Sequence, residues 1–450
     1  MMNRLEIIAI QNKSDKMEMS IRLCSWYTLN HTRGASMKQT IQIGKITIRA
    51  DFGFIAVLLI LFATSCFALY NSFNFISVGS GRTYLIRQTM FYILGFILLF
   101  IMSRLQNKVI FSWIEPIYKF LNICLIYLLV SKFLNRFTGH TLPLTSDING
   151  AFSWFQIPLL GSFQPSEYMK VILILKVSQI ISDYQARHPK PTVRQDLQML
   201  FEILKVCFFP MIMVLLQPDT GVFIIMGFTL LVLILCSGVR KSYIYIILGL
   251  LVLAVGGFFY LYFYQHEFLA SVVSQYQLNR IEAWLNPEDH ILGSSNQLYT
   301  ALLSLGSAGL TGFGLQANII AIPEAHTDFI FAAFGQCFGL IGTLFIVLVC
   351  LLLDLYLCKM AYNCTRRRDR LIIIGTIAML FYQQFQNMGM IVGLVPITGI
   401  TLPLISYGGS SILSYFLIFG IILNISPVAK KTHRISLRPK KKVKPTAAAS

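Results

Sequence analysis

The segment WLNPEDHILGSSNQL, residues 284–298, places Glu288, Asp289 and His290 side by side between two apolar stretches. A carboxylate or an imidazole that faces a hydroxyl group can act as a general base. Such groups are scarce elsewhere, because only 12% of the residues are charged. The segment is therefore the first candidate for catalysis, and the simpler interpretation is that Asp289 is a solvated acid in an exposed turn.

A second candidate is the pair Glu167 and Lys170 in SFQPSEYMKVILILK. Pro165 suits the first position of a helix, and side chains three residues apart share one helix face and can pair. An ionisable group inside a membrane helix costs about 2.5–3.5 kcal/mol, and such groups therefore usually have a function. The pair is expected to bind an anionic group or shape a site, and the alternative is a purely structural ion pair.

Four further side chains lie at the ends of apolar segments. Glu324, His326 and Asp328 occur together in AIPEAHTDFIF and are expected to form a polar cluster at the entrance of a groove. Asp328 is alternatively the cap of the helix that follows. Arg280 precedes the NPED segment, where it would clamp a phosphate or extend its charge to the membrane interface.

Two other segments combine polar residues with turn formers. In LLQPDTGVF, Pro218 and Asp219 form a turn in which Asp219 caps the next helix or coordinates a cation. The segment GLVPITGITLPLISYGGSSIL is non-helical at membrane depth, where irregular backbone must be buried in protein or line a cavity. Its residues expected to build the loop or line the cavity are Ser406, Tyr407, Gly408 and Gly409.

The composition predicts the fold class, an all-α polytopic membrane protein. Hydrophobic residues make up 56% of the 450 residues and charged residues only 12%. A soluble domain carries about 25% charged residues, twice the share found here. Runs long enough to span a bilayer need about 20 residues each. They predict ten membrane helices at 53–73, 86–104, 113–131, 166–184, 199–216, 220–237, 241–264, 328–357, 371–394 and 409–427.

Lysines and arginines near the helix ends predict the orientation, with both termini in the cytoplasm. The basic tails would be residues 1–50 and 429–450, flanking a membrane domain at 51–428 with a long outer loop at 265–327. Residues 1–36 lack periodicity, which suggests a start at Met37 or a disordered arm. The net charge of +18 reflects this orientation and contact with anionic membrane lipids rather than nucleic-acid binding. The nine cysteines show no metal-ligand spacing.

Four motifs occur in order between the predicted helices, namely QPSEYMK (164–170), QPDTG (217–221), PEAHTDFIF (323–331) and NMGMIVGLVPITGITLPLISYGGSS (387–411). They resemble the motifs of the SEDS family (shape, elongation, division and sporulation), which includes RodA, FtsW and SpoVE. The resemblance covers residues 50–428 and implies polymerisation of lipid II on the outer face of the bacterial cytoplasmic membrane. Undecaprenyl pyrophosphate would be the leaving group, and a class B penicillin-binding protein the partner.

The same resemblance implies a general base in the outer loop, shortly after an Asn-Pro pair, which corresponds to Asp289. Aligned without gaps, the family position falls on His290, so His290 remains an alternative base, as does Glu288. Glu167 and Lys170 would then bind the pyrophosphate. A divalent cation such as Mg²⁺ could assist the pyrophosphate, but the sequence offers no readable ligand set.

Two residues depart from the family pattern. Gln336 stands where the family carries an acid, and Ser153 where it usually carries a basic residue. Both changes fall on the predicted outer face, so a catalytically weakened copy that serves as a scaffold for the penicillin-binding protein is one alternative function. A lipid II flippase is the other, because transporters also use polar loops at the middle of the membrane.

Overall fold

The computed structural model describes residues 40–43, 46–49, 51–76, 81–146, 152–157, 161–189, 191–273, 275–288, 291, 293 and 295–426. The proposed start at Met37, the arm 1–36, the tail 429–450 and both Asp289 and His290 lie outside them. The chain divides into an N-terminal unit that ends at Phe52 and a helical unit from Gly53 onward.

The N-terminal unit contains a β-hairpin that the sequence analysis did not predict. Strand β1 (Thr40–Ile43) pairs antiparallel with β2 (Ile46–Arg49), and Thr40 lies opposite Arg49. Both strands alternate isoleucine with polar residues, which is the period of a β-strand. The segment was interpreted only as a lead into the first helix, because four-residue strands are too short to stand out beside long apolar runs.

The described residues of the second unit include ten long helices, one at each predicted position. Their bounds are α1 Phe52–Asn71, α2 Gly81–Arg104, α3 Asn107–Thr138, α4 Pro165–Arg187, α5 Val193–Leu216, α6 Thr220–Leu235, α7 Lys241–Tyr264, α11 Ile330–Asn363, α12 Arg367–Ile391 and α13 Gly409–Ile425. Six of them are long and apolar enough to cross a membrane, namely α1, α2, α3, α5, α7 and α11. The prediction of a polytopic helical membrane protein is confirmed at this level.

Helix α4 is the least apolar of the predicted membrane helices and lies inside the bundle. It contacts α3, α5, α6, α12 and α13, and its buried residues run from Pro165 to Tyr184. A helix enclosed by other helices does not face lipid, so it can carry ionisable side chains that pair within the protein. Helix α7 is the opposite case, since none of its residues is buried in the described structure.

The region between α7 and α11 contains three short helices, α8 (His266–Val272), α9 (Gln275–Leu285) and α10 (Asn296–Ser307). The long loop predicted at 265–327 is therefore partly helical. A second unpredicted hairpin, β3 (Phe155–Ile157) with β4 (Gly161–Phe163), precedes α4.

Helix α11 is broken at Gly339, where φ is 61° and ψ is −152°. The break exposes backbone groups that the loop at 309–314 satisfies. Phe313 and Gly314 donate N–H groups to the carbonyls of Gln336 and Cys337, and Leu340 and Ile341 donate to Gly309 and Leu310, all at 2.9–3.1 Å. The long α11 helix therefore admits a loop into its own hydrogen-bond ladder.

We expect Gly339→Ala to destabilise the protein by about 1–3 kcal/mol, because this backbone conformation is essentially restricted to glycine. The added Cβ would also lie 2.5 Å from the backbone of Leu310. Thermal unfolding in detergent, followed by circular dichroism, measures the effect. Gly256→Ala in α7 is the matched control, since a Cβ there meets nothing within 4 Å; equal unfolding temperatures for the two variants would contradict the prediction.

Candidate active site

The first group of polar residues lies at the start of α4. Pro165 is the first residue of the helix, and Glu167 and Lys170 follow in its first turn and a half. Lys170 Nζ lies 2.9 Å from Glu167 Oε1, and the two residues are only 3% and 6% exposed. The predicted pair is therefore present and buried. Glu167 Oε2 has no hydrogen-bond partner, so one carboxylate oxygen remains available.

Asp219 joins this group from the turn between α5 and α6, which also contains Pro218. Its Oδ1 accepts the Val222 N–H at 3.2 Å, so the predicted capping of α6 is present. Its Oδ2 accepts from Gln164 Nε2 at 2.8 Å and from Ser166 Oγ at 3.4 Å. We call Gln164, Ser166, Glu167, Lys170 and Asp219 the α4 cluster.

The second group lies before α11 and comprises Arg280, Glu324, His326 and Asp328, which we call the loop cluster. Thr327 Oγ1 lies 2.8 Å from both Glu324 Oε2 and Asp328 Oδ1, so one hydroxyl links two carboxylates. Phe329 rather than Asp328 occupies the cap position of α11 and no side chain caps it, so the alternative interpretation of Asp328 as a helix cap is wrong.

Burial raises the pKa of Asp328 above its usual range, and the Thr327 hydrogen bond and the charge of Arg280 act in the opposite direction. Gly399 lies between the two charged residues. A Cβ at Gly399 would be 3.6 Å from the Arg280 guanidinium and 3.8 Å from Asp328 Oδ2. Arg280 also donates to the Ile397 carbonyl at 3.3 Å. Arg280 therefore lies next to Asp328 and the final loop, and its contact with the membrane interface stays a prediction.

His326 packs against aromatic rings, with its ring centre 4.5 Å from Tyr84 and 6.2 Å from Tyr407. Burial lowers the pKa of His326, and the charge of Glu324 opposes this shift. Arg87, one turn along α2 from Tyr84, interacts with the Tyr407 side chain. The sequence analysis did not select Tyr84 or Arg87, although an arginine inside an apolar helix is a usable signal.

The segment between α12 and α13, residues 392–408, is non-helical and connects the two clusters; we call it the final loop. Ser410, just after it, accepts the Gln164 N–H of the α4 cluster at 2.9 Å. Tyr407 donates its N–H to the His326 carbonyl at 2.9 Å. Seven of its carbonyls accept hydrogen bonds from side chains, the donors being Trp284, Gln386, Arg280, Asn387, Tyr92, Ser65 and Gln88.

Two of the predicted loop residues have structural contacts that explain their presence, namely Ser406 and Gly409. Ser406 is 3% exposed, and its hydroxyl accepts the Leu402 N–H at 2.9 Å. Gly409 is needed because an added Cβ would lie 2.4 Å from the Phe91 ring. Gly408 also lies in the loop, but its φ of 177° is extended backbone that any residue adopts, so its conformation does not require glycine.

Asp289 and His290 follow an anchored helix. Trp284, near the end of α9, donates its indole N–H to the Gly393 carbonyl of the final loop at 2.9 Å. Glu288, the last described residue before them, is exposed. The assignment of a base among these three residues stays a prediction.

The two departures from the family pattern have separate explanations. Gln336 Nε2 donates to Ser304 Oγ at 2.7 Å and to the Ile320 carbonyl at 3.0 Å, and its Oε1 accepts the Ile319 N–H at 2.8 Å. An ionised acid could not make the two donations. Ser153 is buried and donates to the Gln217 carbonyl at 3.5 Å, beside the turn that holds Asp219.

Within the described residues, no group of three or more His, Cys, Asp or Glu side chains could hold a metal ion. A role for Mg²⁺ stays a prediction, since this ion is usually held by one or two carboxylates together with substrate phosphates. Lys170, Arg280 and Arg87 supply positive charge, two of them at the final loop and one at the α4 cluster. This arrangement suits an anionic group held near an apolar bundle.

Comparison with known proteins agrees with the motifs. The family model for the cell cycle proteins FtsW, RodA and SpoVE matches residues 51–431. Stage V sporulation protein E of Bacillus subtilis is 32% identical over 282 residues, which cover 62% of this chain and 72% of the relative. The probable peptidoglycan glycosyltransferase FtsW of Coxiella burnetii is 32% identical over 349 residues, which cover 76% of this chain and 86% of the relative.

Solved structures share the fold. The rod shape determining protein RodA of Thermus thermophilus has a TM-score of 0.56 at 24% identity, covering 86% of this chain and 98% of RodA. A chain from a peptidoglycan synthase complex, described for its coordination of polymerisation and crosslinking, has a TM-score of 0.66 at 24% identity, covering 85% and 98%. With ten helices, the four motifs and the family match in agreement, this chain belongs to the FtsW/RodA/SpoVE family, the SEDS proteins.

Proposed function

We propose that this protein is a peptidoglycan glycosyltransferase that polymerises lipid II into glycan strands on the outer face of the cytoplasmic membrane. The supporting observation is the final loop, which has charged groups on both sides in a member of this family: the buried pair Glu167 and Lys170 on one side, and half-buried Arg280 and Asp328 on the other. Relatives at about 30% identity are named probable peptidoglycan glycosyltransferases. Cations next to an apolar bundle suit a pyrophosphate that carries a polyprenyl chain.

The reaction transfers one proton, forms one C–O bond and breaks another. A hydroxyl oxygen of the acceptor lipid II attacks the anomeric carbon of the lipid-linked strand, and the bond from that carbon to the pyrophosphate oxygen breaks. The bonding electrons leave with undecaprenyl pyrophosphate, and the base takes the hydroxyl proton. Positive charge near the leaving oxygens stabilises the charge that develops there.

Residues of this chain supply these roles in the proposal. Asp289 is the base, with His290 and Glu288 as alternatives. It follows Trp284, which is anchored to the final loop, by five residues, a span of at most about 18 Å of extended chain. Lys170 and Arg280 face the leaving pyrophosphate, and no step is assigned to a metal ion.

The proposed topology has ten membrane spans, with both termini in the cytoplasm and the region 265–327 outside. Four helices are not among the six long apolar ones. Helices α6 and α13 are apolar but shorter, and α4 and α12 are polar but largely buried among other helices. A helix surrounded by protein does not need an apolar surface to cross the membrane, so these four fit as inner spans.

The proposed partner is a class B penicillin-binding protein, which would crosslink the strands made here. The basis is the fold shared with a chain of a peptidoglycan synthase complex. The proposed location is the bacterial cytoplasmic membrane.

Asp289→Ala is expected to reduce polymerisation of labelled lipid II by the purified protein and its partner about 10²–10⁴-fold, the usual contribution of a general base. Strand length and yield on gels measure the effect, with His290→Ala as the matched control. Loss of activity only in His290→Ala would transfer the role to His290. Full activity in both variants and in Glu288→Ala would remove the proposed base from this segment.

The same preparation separates the alternative functions. A flippase would move lipid II across vesicle membranes with or without Asp289. A scaffold would bind its partner without making strands. Either result for the unmodified protein would overturn the proposed activity.

For the α4 cluster, Glu167→Gln and Lys170→Met alone are each expected to destabilise the protein by about 3–5 kcal/mol, because each leaves a buried charge unpaired. The double variant Glu167→Gln/Lys170→Met removes both charges and should recover most of this stability. If Lys170 serves the pyrophosphate, the double variant is folded and at least about 100-fold less active. A stable double variant with normal polymerisation would show that the pair is only structural.

A further inference from the structure

A large cleft lies at the other end of α4, away from both clusters. It has a volume of about 950 Å³ and is walled by the first third of α3, the last half of α4 and the first half of α5. This is within the usual size range of sites for small molecules. The proposed orientation places it at the cytoplasmic side of the membrane, where α4 ends and α5 begins.

The inner end of the cleft is closed by a pair whose charges cancel. Lys176 forms an ion pair with Glu115, and its ammonium lies 3.9 Å from the centre of the Tyr118 ring. The Tyr118 hydroxyl donates to the Val206 carbonyl at 2.8 Å, which ties α3 to α5. The charged and polar groups at the inner end are therefore already paired with each other. This end does not attract a ligand that carries only a positive or only a negative charge.

The mouth of the cleft carries two cations and two carboxylates. Arg187 and Asp183 come from α4 and Arg194 and Glu202 from α5, and all four are exposed cleft-lining residues. None of the four forms an ion pair within the part of the chain that the structure describes. An anion alone would be repelled by the carboxylates and a cation alone by the arginines, so the mouth suits a ligand that carries both charges.

Two of these charges are close together on α4. Asp183 and Arg187 are four residues apart and therefore neighbours on one helix face. The guanidinium group binds phosphate through two parallel hydrogen bonds, and carboxylates accept from the three N–H groups of a primary ammonium. A phosphate and an ammonium joined by two methylene groups would place each charge next to its opposite.

The cleft also adjoins surface that suits hydrocarbon. Leu197 and Phe201, four residues apart on α5, line the cleft and are 50% and 64% exposed, and Phe208 continues the apolar row toward the middle of the bundle at 59%. Acyl chains could follow this row from the cleft into the bilayer. We propose that the cleft binds the phosphoethanolamine headgroup of a phospholipid in the cytoplasmic leaflet.

The test uses native mass spectrometry of the full-length protein in detergent. It is offered phosphatidylethanolamine, phosphatidylcholine and phosphatidylglycerol with identical acyl chains. Phosphatidylethanolamine should be retained about tenfold over phosphatidylcholine, whose ammonium has no N–H, and this ratio corresponds to about 1.4 kcal/mol. Phosphatidylglycerol, which lacks an ammonium, should be retained no better than phosphatidylcholine.

Asp183→Asn/Glu202→Gln should bring the ratio of phosphatidylethanolamine to phosphatidylcholine near one. Arg187→Gln/Arg194→Gln should weaken retention of both. The control is Lys359→Gln, which removes an exposed charge from α11, outside the cleft lining, and should change nothing. If a double variant unfolds, the exposed single change Asp183→Asn replaces it.

Equal retention of the two lipids by the unmodified protein would overturn the proposal. Preferential retention of phosphatidylglycerol, or an equal loss in Lys359→Gln, would also overturn it. These outcomes do not depend on glycosyltransferase activity.

Discussion

The final loop is non-helical backbone inside a bundle of apolar helices, and its peptide groups must be satisfied there by protein. Unpaired N–H and C=O groups cost several kcal/mol each where water is absent. Side chains meet this requirement, since donors from α1, α2, α9 and α12 reach its carbonyls. The polar residues of these helices are thus explained by the loop they hold, and the two charged clusters are positioned by that loop in turn.

Asn387 illustrates how directly the loop and the clusters depend on each other. Its amide donates to the carbonyl of Asp328 and to that of Ile400, both at 2.7 Å. One side chain of α12 therefore fixes the start of α11 against the final loop. The position of the Asp328 carboxylate beside Arg280 follows from backbone that a neutral amide holds in place.

Much of this could be predicted from the sequence. Apolar runs located all ten long helices, and the polar intrusions located both clusters, because an ionisable residue in an otherwise apolar chain is easy to detect. The break in α11 could not be predicted, since GQCFGLIG has the composition of a helix with tolerated glycines. Its cause is the loop at 309–314. This loop is close to α11 in the sequence, but its hydrogen bonds to the helix become visible only in the three-dimensional structure.

The contact of Arg87 was missed for a different reason. It lies in a helix whose basic residues had been used to judge orientation, and its contact with Tyr407 joins residues 320 positions apart. The short hairpins were missed because three- and four-residue strands have too few side chains to produce a detectable alternation. The local sequence pattern thus predicts long helices well, but it predicts contacts between elements that are remote in the sequence poorly.

Gln336 holds the segment between α10 and α11 through two donated bonds and one accepted bond. An amide keeps its donors at any physiological pH, whereas a carboxyl group can donate only while it is protonated. The hydrogen bonds that hold this segment in the present protein are therefore independent of pH. A relative with glutamic acid at this position would hold the corresponding segment with a strength that varies with the medium.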